Sequence, residues 1–134
     1  MSNIAIRQVL ETKLATIEPK LPTAWPNTEF SAPEGQPYQE AYLLWAKPEN
    51  PTMGDNHYRQ RGVFQITLRY PQGIGAADAD LRGELLRSEY HRGLSLTRNG
   101  VKTVIDETPE VSEGRNVGER YVVIVRIRFY ADVF

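Results

Sequence analysis

The chain has no cysteine and only two histidines among its 134 residues. The absence of cysteine excludes disulfides and thiolate metal ligands, which suits a reducing compartment. His57 and His91 lack the HxxxH spacing and the additional ligands that a zinc site requires. We therefore expect no metal site, and no covalent cross-link that stabilises the domain.

Long apolar runs and an excess of one charge are also missing. No run approaches the roughly 18 apolar residues of a membrane helix, and the start, MSNIAIRQVLETKLATIEPK, lacks the apolar centre of a signal peptide. We expect a soluble protein made inside the cell, with no membrane partner. The net charge of -1 gives no overall attraction to nucleic acid or anionic lipid.

Catalytic motifs are absent as well. The GIG at 73–75 lacks the GxGxxG and GK[ST] patterns of phosphate loops, and no serine lies in a GxSxG context. Asp78, Asp80 and Glu84 cluster at the start of a predicted helix, where the helix dipole favours carboxylates. The sequence therefore predicts no enzyme, no catalytic residue and no cofactor.

Apolar periodicity predicts two helices. The first is capped by Asn3 and ends before Pro19, and its apolar stripe recurs at steps of three and four residues: Ile6, Val9, Leu10, Leu14 and Ile17. The second lies within GIGAADADLRGELLRSEYHRG and is followed by Gly93 as a C-terminal stop. Its predicted core residues are Ala77, Leu81, Leu85 and Tyr90.

Four segments predict strands, namely YQEAYLLW, HYRQRGVFQITLRYP, VKTVID and RYVVIVRIRFYADVF. The second and fourth alternate with a period of two, and Gly62 indicates a bulge in the second. The order of elements predicts a single α+β domain over residues 1–134. Its sheet of about four strands, mixed or antiparallel, has two helices packed on one face.

Irregular segments connect these elements. Residues 19–37 form a proline-rich arm that contains Trp25 and Phe30. We expect Trp25 to fold back over its own helix and sheet edge, although an arm that reaches a neighbouring subunit is the alternative, because long loops without secondary structure usually have a function. Loops at 47–56 and 107–119 are rich in Pro, Gly, Asn and acidic residues, so we expect them to be mobile.

The sheet face opposite the helices is the candidate functional surface. It mixes charged and apolar residues, as surfaces buried against another subunit do. With the two aromatic residues of the arm, the candidate interface residues are Trp25, Phe30, Arg59, Arg61, Arg69, Val122, Ile124, Arg126, Arg128 and Tyr130. A nucleic-acid-binding module that uses the arginines is the alternative hypothesis.

Several segments taken together resemble one known family. AWPNTEF, the block RGVFQITLRYPQGIGAADAD and the final RFYADVF, in this order behind a short N-terminal helix, are similar to phage tail-terminator-like proteins of long-tailed phages and prophages. The resemblance covers nearly the whole chain, but each of its motifs is only moderately specific. A neighbouring neck or minor tail protein fits the same motifs.

The resemblance implies a structural function in the virion and no cofactor. Proteins of this kind form a homohexameric ring on the head-proximal end of the tail tube, stop tube polymerisation and provide the head-tail joining surface. The implied partners are further copies of the chain, the tail tube protein and a head-completion or neck protein. DNA would pass through the ring without sequence-specific binding. The protein would be made in the bacterial host cytoplasm and reside in the virion tail.

Overall fold

The computed structural model describes residues 2–54 and 56–134. Within them lie two helices and eight strands, and none of these helices is both long and apolar enough to cross a membrane. The elements are α1 (Ser2–Thr16), β1 (Thr23–Ala24), β2 (Tyr38–Trp45), β3 (Tyr58–Pro71), α2 (Ala77–Glu89), β4 (Ser95–Arg98), β5 (Val101–Ile105), β6 (Glu110–Val111), β7 (Arg115–Val117) and β8 (Arg120–Val133).

One sheet contains all eight strands, in the order β1-β2-β3-β8-β5-β4, with β6 and β7 also paired to β8. The strands β3 and β8 are antiparallel along their whole length, from Tyr58 opposite Val133 to Pro71 opposite Arg120. The other edge of β8 pairs in turn with β7, β6 and β5. The predicted α+β class is confirmed, but four strands were too few, because β1, β6 and β7 are short strands in segments expected to be irregular. β4 lies in a segment for which no element was predicted.

The period of two in β3 and β8 separates a buried face from an open one. Even positions of β3 and odd positions of β8 form one apolar core with both helices, as predicted, since an alternating strand directs every second side chain to the same side. The fully buried strand residues of this core include Phe64, Ile66, Leu68, Val123, Val125, Ile127 and Phe129.

The first helix buries the predicted stripe. Ile6, Leu10 and Leu14 are at most 2% exposed, and the same holds for Ile17 just beyond the helix end. The expected cap at Asn3 is wrong, because the helix already includes Ser2. The Ser2 hydroxyl forms a 2.8 Å hydrogen bond with the Tyr58 hydroxyl, which joins the start of α1 to the start of β3.

The second helix buries only part of the predicted stripe, since Leu85 packs against the core but two other predicted residues do not. Leu81 is 64% exposed and Ala77 is also exposed, whereas Ala79, Gly83 and Leu86 are buried. Small residues let the helix approach the sheet closely, since a Cβ on Gly83 would lie 2.9 Å from Val111. The side of α2 that faces the sheet therefore carries small residues, which allow close backbone contact. Leu81, which periodicity predicted as a core residue, lies on the exposed side of the helix.

The end of α2 is also corrected. The helix ends at Glu89 with Tyr90 as C-cap, so Gly93 belongs to the following turn, where its N–H donates to the carbonyl of Ile105. Tyr90 is fully buried, as predicted, and its hydroxyl donates to the Leu10 carbonyl at 2.9 Å. Burial raises the pKa of Tyr90, so the phenol stays neutral and this bond joins the two helices.

Gly62 does not mark a bulge. The register continues through it on both sides, with Gly62 opposite Trp45 in β2 and opposite Phe129 in β8. A Cβ here would lie 2.7 Å from the Leu44 carbonyl oxygen and 2.7 Å from the Phe129 ring. Glycine is therefore required for space in a regular strand.

The two segments expected to be mobile have different structures. Between β2 and β3 the chain is irregular, although Glu49 and Arg59 exchange two backbone hydrogen bonds of 2.7 and 2.8 Å; Asp55 of this segment lies outside the described residues. The segment 107–119 contains β6 and β7, so five of its residues belong to the sheet. Mobility of both segments remains a prediction.

Candidate interaction surface

The candidate surface is the sheet face opposite the helices, here called the open face. It is formed by even positions of β2, odd positions of β3 and even positions of β8, which the registers bring side by side. Both described helices pack on the other face. The main residues of the open face are Tyr42, Leu44, Arg59, Arg61, Val63, Arg69, Ile124, Arg126, Arg128, Tyr130 and Asp132.

Arg59 is bound to a carboxylate at one end of this face. Its guanidinium donates two hydrogen bonds of 2.9 Å to Asp132, directly opposite in the register, and lies 4.4 Å from the Tyr130 ring centre. His57 Nε2 is 3.0 Å from the same carboxylate. The hydrogen bonds from Arg59, with that from His57, lower the pKa of Asp132 to about 2.

Arg61 and Arg69 are also paired within the chain. Arg61 donates to Glu49 at 3.0 Å and to Asp106 at 2.8 Å. Arg69 donates to Glu40 at 2.6 Å. Charge-assisted bonds of this length fix the planes of the guanidinium groups.

Arg126 and Arg128 share one carboxylate. Glu110 of β6 lies 3.9 Å from Arg126 and 3.2 Å from Arg128. Each of the five candidate arginines on this face therefore has a carboxylate partner, and the partners are Asp132, Glu49, Asp106, Glu40 and Glu110. Because the charges of these five arginines are balanced within the chain, the arginines offer little net positive charge to a phosphate backbone, which argues against a nucleic-acid-binding module that uses them.

The exposed apolar part of this surface differs from the expected one. Val122 is only 4% exposed, so it is already buried within its own chain, and Ile124 is half-buried. Tyr42 and Leu44 of β2 are 41% and 52% exposed instead. Predicting the surface from β3 and β8 missed β2, because only the register shows that the even positions of β2 share this face.

The two arm aromatics lie against their own chain. Trp25 is partly buried and packs against the core cluster. The Phe30 ring centre lies 5.3 Å from that of Tyr38. Arg120 fastens the arm, since its guanidinium donates to the carbonyls of Pro33 and Gln36 and lies 4.9 Å from the Tyr38 ring centre.

The carboxylate partners are what sequence reasoning missed. Glu40 and Asp132 have the parity of the open face within predicted strands, so alternation was a usable signal for them. Glu49, Asp106 and Glu110 lie in segments predicted as loops or strand ends, where parity gives no direction. Only the three-dimensional pairing of these segments with β3 and β8 identifies them.

Catalytic chemistry has little basis in the geometry. His57 belongs to the Asp132 cluster, His91 is exposed, and Asp78 and Asp80 occupy the first turn of α2, as expected from the helix dipole. Over the described ranges, no three His, Asp or Glu side chains are grouped to hold a metal. The buried Arg82 donates to the Pro19 carbonyl, and burial lowers its pKa.

These features define a small α+β protein whose open sheet face suits contact with other proteins. The sequence matches the family model described as phage tail terminator protein over residues 5–129, and the chain belongs to this family. The predicted resemblance is thereby confirmed. The family is structural rather than catalytic, and it places the protein among tail components of the virion that interact with other tail proteins.

One solved structure has the same fold. It is 25% identical in sequence, superposes with a TM-score of 0.80, and the match covers 100% of this chain and 97% of that chain. No curated protein matches the sequence.

Proposed function

We propose that this protein ends tail assembly. Six copies form a ring on the head-proximal end of the tail tube, where they stop the addition of tube subunits and present a joining surface to the head-completion or neck protein. DNA passes through this ring without sequence-specific binding. The protein is made in the cytoplasm of a bacterial host that carries the phage or prophage.

The observation that supports this function is the open face. A sheet with two helices on one side leaves the other side free for partners, and here that side has a self-balanced set of charges beside exposed Tyr42 and Leu44. Interface centres are depleted of unpaired charge and enriched in aromatic and arginine side chains. The open face has this composition.

The candidate interface residues fit two parts of the surface. Arg59, Arg61, Arg126, Arg128 and Tyr130 form the part of the open face that a tail partner contacts. Trp25 and Phe30 belong to the arm, which packs on its own chain beside Tyr38. The segments 47–56 and 107–119 order when a tail partner docks.

A tube-polymerisation assay tests this function. Purified tail tube protein of the same phage is polymerised with and without this protein, and tubes are measured by negative-stain electron microscopy. We expect shorter tubes, each with a ring at one end, and an effect that saturates at one ring per tube. Unchanged tube length with no protein at the tube ends would contradict termination.

The alternative function within the tail is that of a neck or minor tail protein. Such a protein would bind the end of a finished tube without limiting its length. A steep salt dependence of duplex DNA binding, measured in the same preparation without ring formation, would instead support the nucleic-acid alternative.

A further inference from the structure

We propose that copies of this chain join edge to edge, with the free end of β2 in one copy pairing with β4 of the next. The contact rests on the proposed ring, and it names the strands that build it. β4 is the last strand at one end of the sheet order, and at the other end β1 covers only Gln39 and Glu40 of β2, which leaves the rest of β2 as an edge.

The free end of β2 has backbone groups that point away from the sheet. The Gln39 N–H donates outward to the Pro22 carbonyl at 3.0 Å, and the Ala46 N–H donates inward to the Arg61 carbonyl at 2.9 Å. Since alternate residues of a strand direct their backbone groups to opposite edges, those of Leu43 and Trp45 point outward. β1 pairs only with Gln39 and Glu40, so no described strand reaches them.

The side chains at this edge are apolar on both faces. Tyr42 and Leu44 are 41% and 52% exposed on the open face, and Trp45 is 36% exposed on the helix side. Natural edge strands are usually blunted by charges, prolines or bulges, because an exposed apolar edge pairs with other chains. None of these devices occurs between Ala41 and Trp45, so this edge is built for pairing.

The strand β4 offers the complementary edge. It pairs only with β5 in the described structure, and the Ile105 N–H donates to the Leu94 carbonyl at 2.8 Å. By the same alternation, the backbone groups of Ser95 and Thr97 point outward. The strand has four residues, which matches the length of the free end of β2.

Charge favours unlike edges over like ones. The β4 hairpin from Arg92 to Lys102 contains three basic residues and no acidic residue. The segment around β2, residues 29–50, contains four glutamates and one lysine. Glu40 and Glu49 are paired with Arg69 and Arg61, which leaves this segment weakly acidic. Two β4 edges therefore repel each other, whereas a β2 edge and a β4 edge have opposite net charge. A contact between different patches repeats from copy to copy and closes into a ring when the rotation allows.

Cysteine trapping tests the contact directly, because the chain has no native cysteine. Leu44 and Thr97 both lie on the open face, the latter opposite Lys102 in β5. The full-length Leu44→Cys/Thr97→Cys variant is oxidised and run on a non-reducing gel, beside each single variant. Leu44→Cys/Ser95→Cys samples the register two residues away.

We expect a ladder of dimers and larger multimers from at least one double variant, and only monomers from the singles. Dimers from Leu44→Cys alone, as abundant as those from the double variants, would show a like-edge contact and overturn the proposal. Monomers from both double variants would overturn it as well.

A second pair of variants separates this proposal from the proposed function. Leu44→Lys blocks the β2 edge, whereas Leu81→Lys replaces a leucine of comparable exposure on α2, which packs on the opposite face of the sheet. Sedimentation velocity at the concentrations that cap tubes should show that Leu44→Lys loses its oligomers and that Leu81→Lys keeps them. The two variants should have equal melting temperatures. Rings and normal tube capping by Leu44→Lys would reject the edge contact but leave termination intact. A cross-linked ladder from a double-cysteine variant, together with a failure of the protein to cap tubes, would support the edge contact and reject termination.

Discussion

The two faces of the β3–β8 pair differ in what their side chains do. On the helix side, Phe64 and Ile127 are completely buried in a continuous apolar core. On the open face, directly behind them, Arg126 and Arg128 are more than a third exposed and paired with one glutamate. The same two strands thus stabilise the fold with one set of side chains and present the other set to partners. Substitutions on the two faces should have separable effects.

The largest effect should come from the helix side. Phe64→Ala removes a buried aromatic ring that contacts Tyr90, with ring centres 6.0 Å apart. We expect the free energy of unfolding to fall by about 4 kcal/mol, since cavities of this kind relax only partly. Urea denaturation followed by tryptophan fluorescence measures it. A loss below about 1 kcal/mol would show that this face does not dominate stability.

A smaller loss is expected at Gly62. Gly62→Ala places a Cβ at 2.7 Å from both the Leu44 carbonyl and the Phe129 ring, so the strand or the ring must shift. We expect destabilisation of about 2 kcal/mol, typical of overpacking. Val63→Ala, one residue along on the open face, is the control and should cost less. Equal losses at the two positions would remove the distinction between the faces here.

The Asp132 cluster should give a pH-dependent effect on the open face. The pKa of Asp132 in the folded protein is about 2, below its ordinary value of 3.8, so its carboxylate stabilises the fold above that ordinary value and stops doing so as pH falls through about 2. Asp132→Asn should cost about 1 kcal/mol near neutral pH, because the group is partly exposed and its pairing is screened. Parallel melts of both proteins at pH 7 and pH 2 should show most of the difference lost in acid, because at pH 2 the carboxyl is already partly protonated in the folded protein. A difference of the same size at both pH values would refute the electrostatic origin.

The smallest stability effect should come from Arg126→Gln/Arg128→Gln. Glutamine is chosen because glutamate would lie against Glu110. Exposed ion pairs contribute little, so we expect a change within about 0.5 kcal/mol. If the open face contacts a tail partner, tube capping should nevertheless weaken. A lower melting temperature together with unchanged assembly would show that these arginines stabilise the fold and do not contact a partner.

Alternation in the long strands was predictable from the sequence because the driving force is local. Val123, Val125 and Ile127 must share a side in any extended conformation, and one side must be buried. The helix α1 was equally clear, since its stripe is one row of large apolar residues. These elements need no knowledge of their partners to be assigned.

The short strands were not predictable, because their partners create them. Thr23–Ala24 and Glu110–Val111 have two residues each and no periodicity, and they are strands only because β2 and β8 offer free edges. β4 is a different case. Its hairpin turn has Asn99 and Gly100 with φ of 52° and 78°, the usual Asn-Gly signal for such a turn, and this signal was overlooked.

The carboxylate partners of the candidate surface follow the same rule. Asp132 continues the parity of Arg126 and Arg128, so its side of the sheet was readable, but its bond to Arg59 depends on the register between two distant strands. Loop residues such as Glu49 and Glu110 carry no such signal. Sequence therefore identified the arginines, and tertiary pairing was needed to show that their charges are balanced.

The position of β8 has a consequence for synthesis. This strand follows every one of its partners in the chain, yet it pairs with β3, β5, β6 and β7. During synthesis β3 lacks this neighbour until β8 has left the ribosome. The pairing of β3 with β8 joins segments that are far apart in sequence, and such pairings slow folding. Until β8 is present, Phe64 and Leu68 of β3 lack the strand that covers one edge of β3, so we expect the sheet to be completed only after β8 has been synthesised.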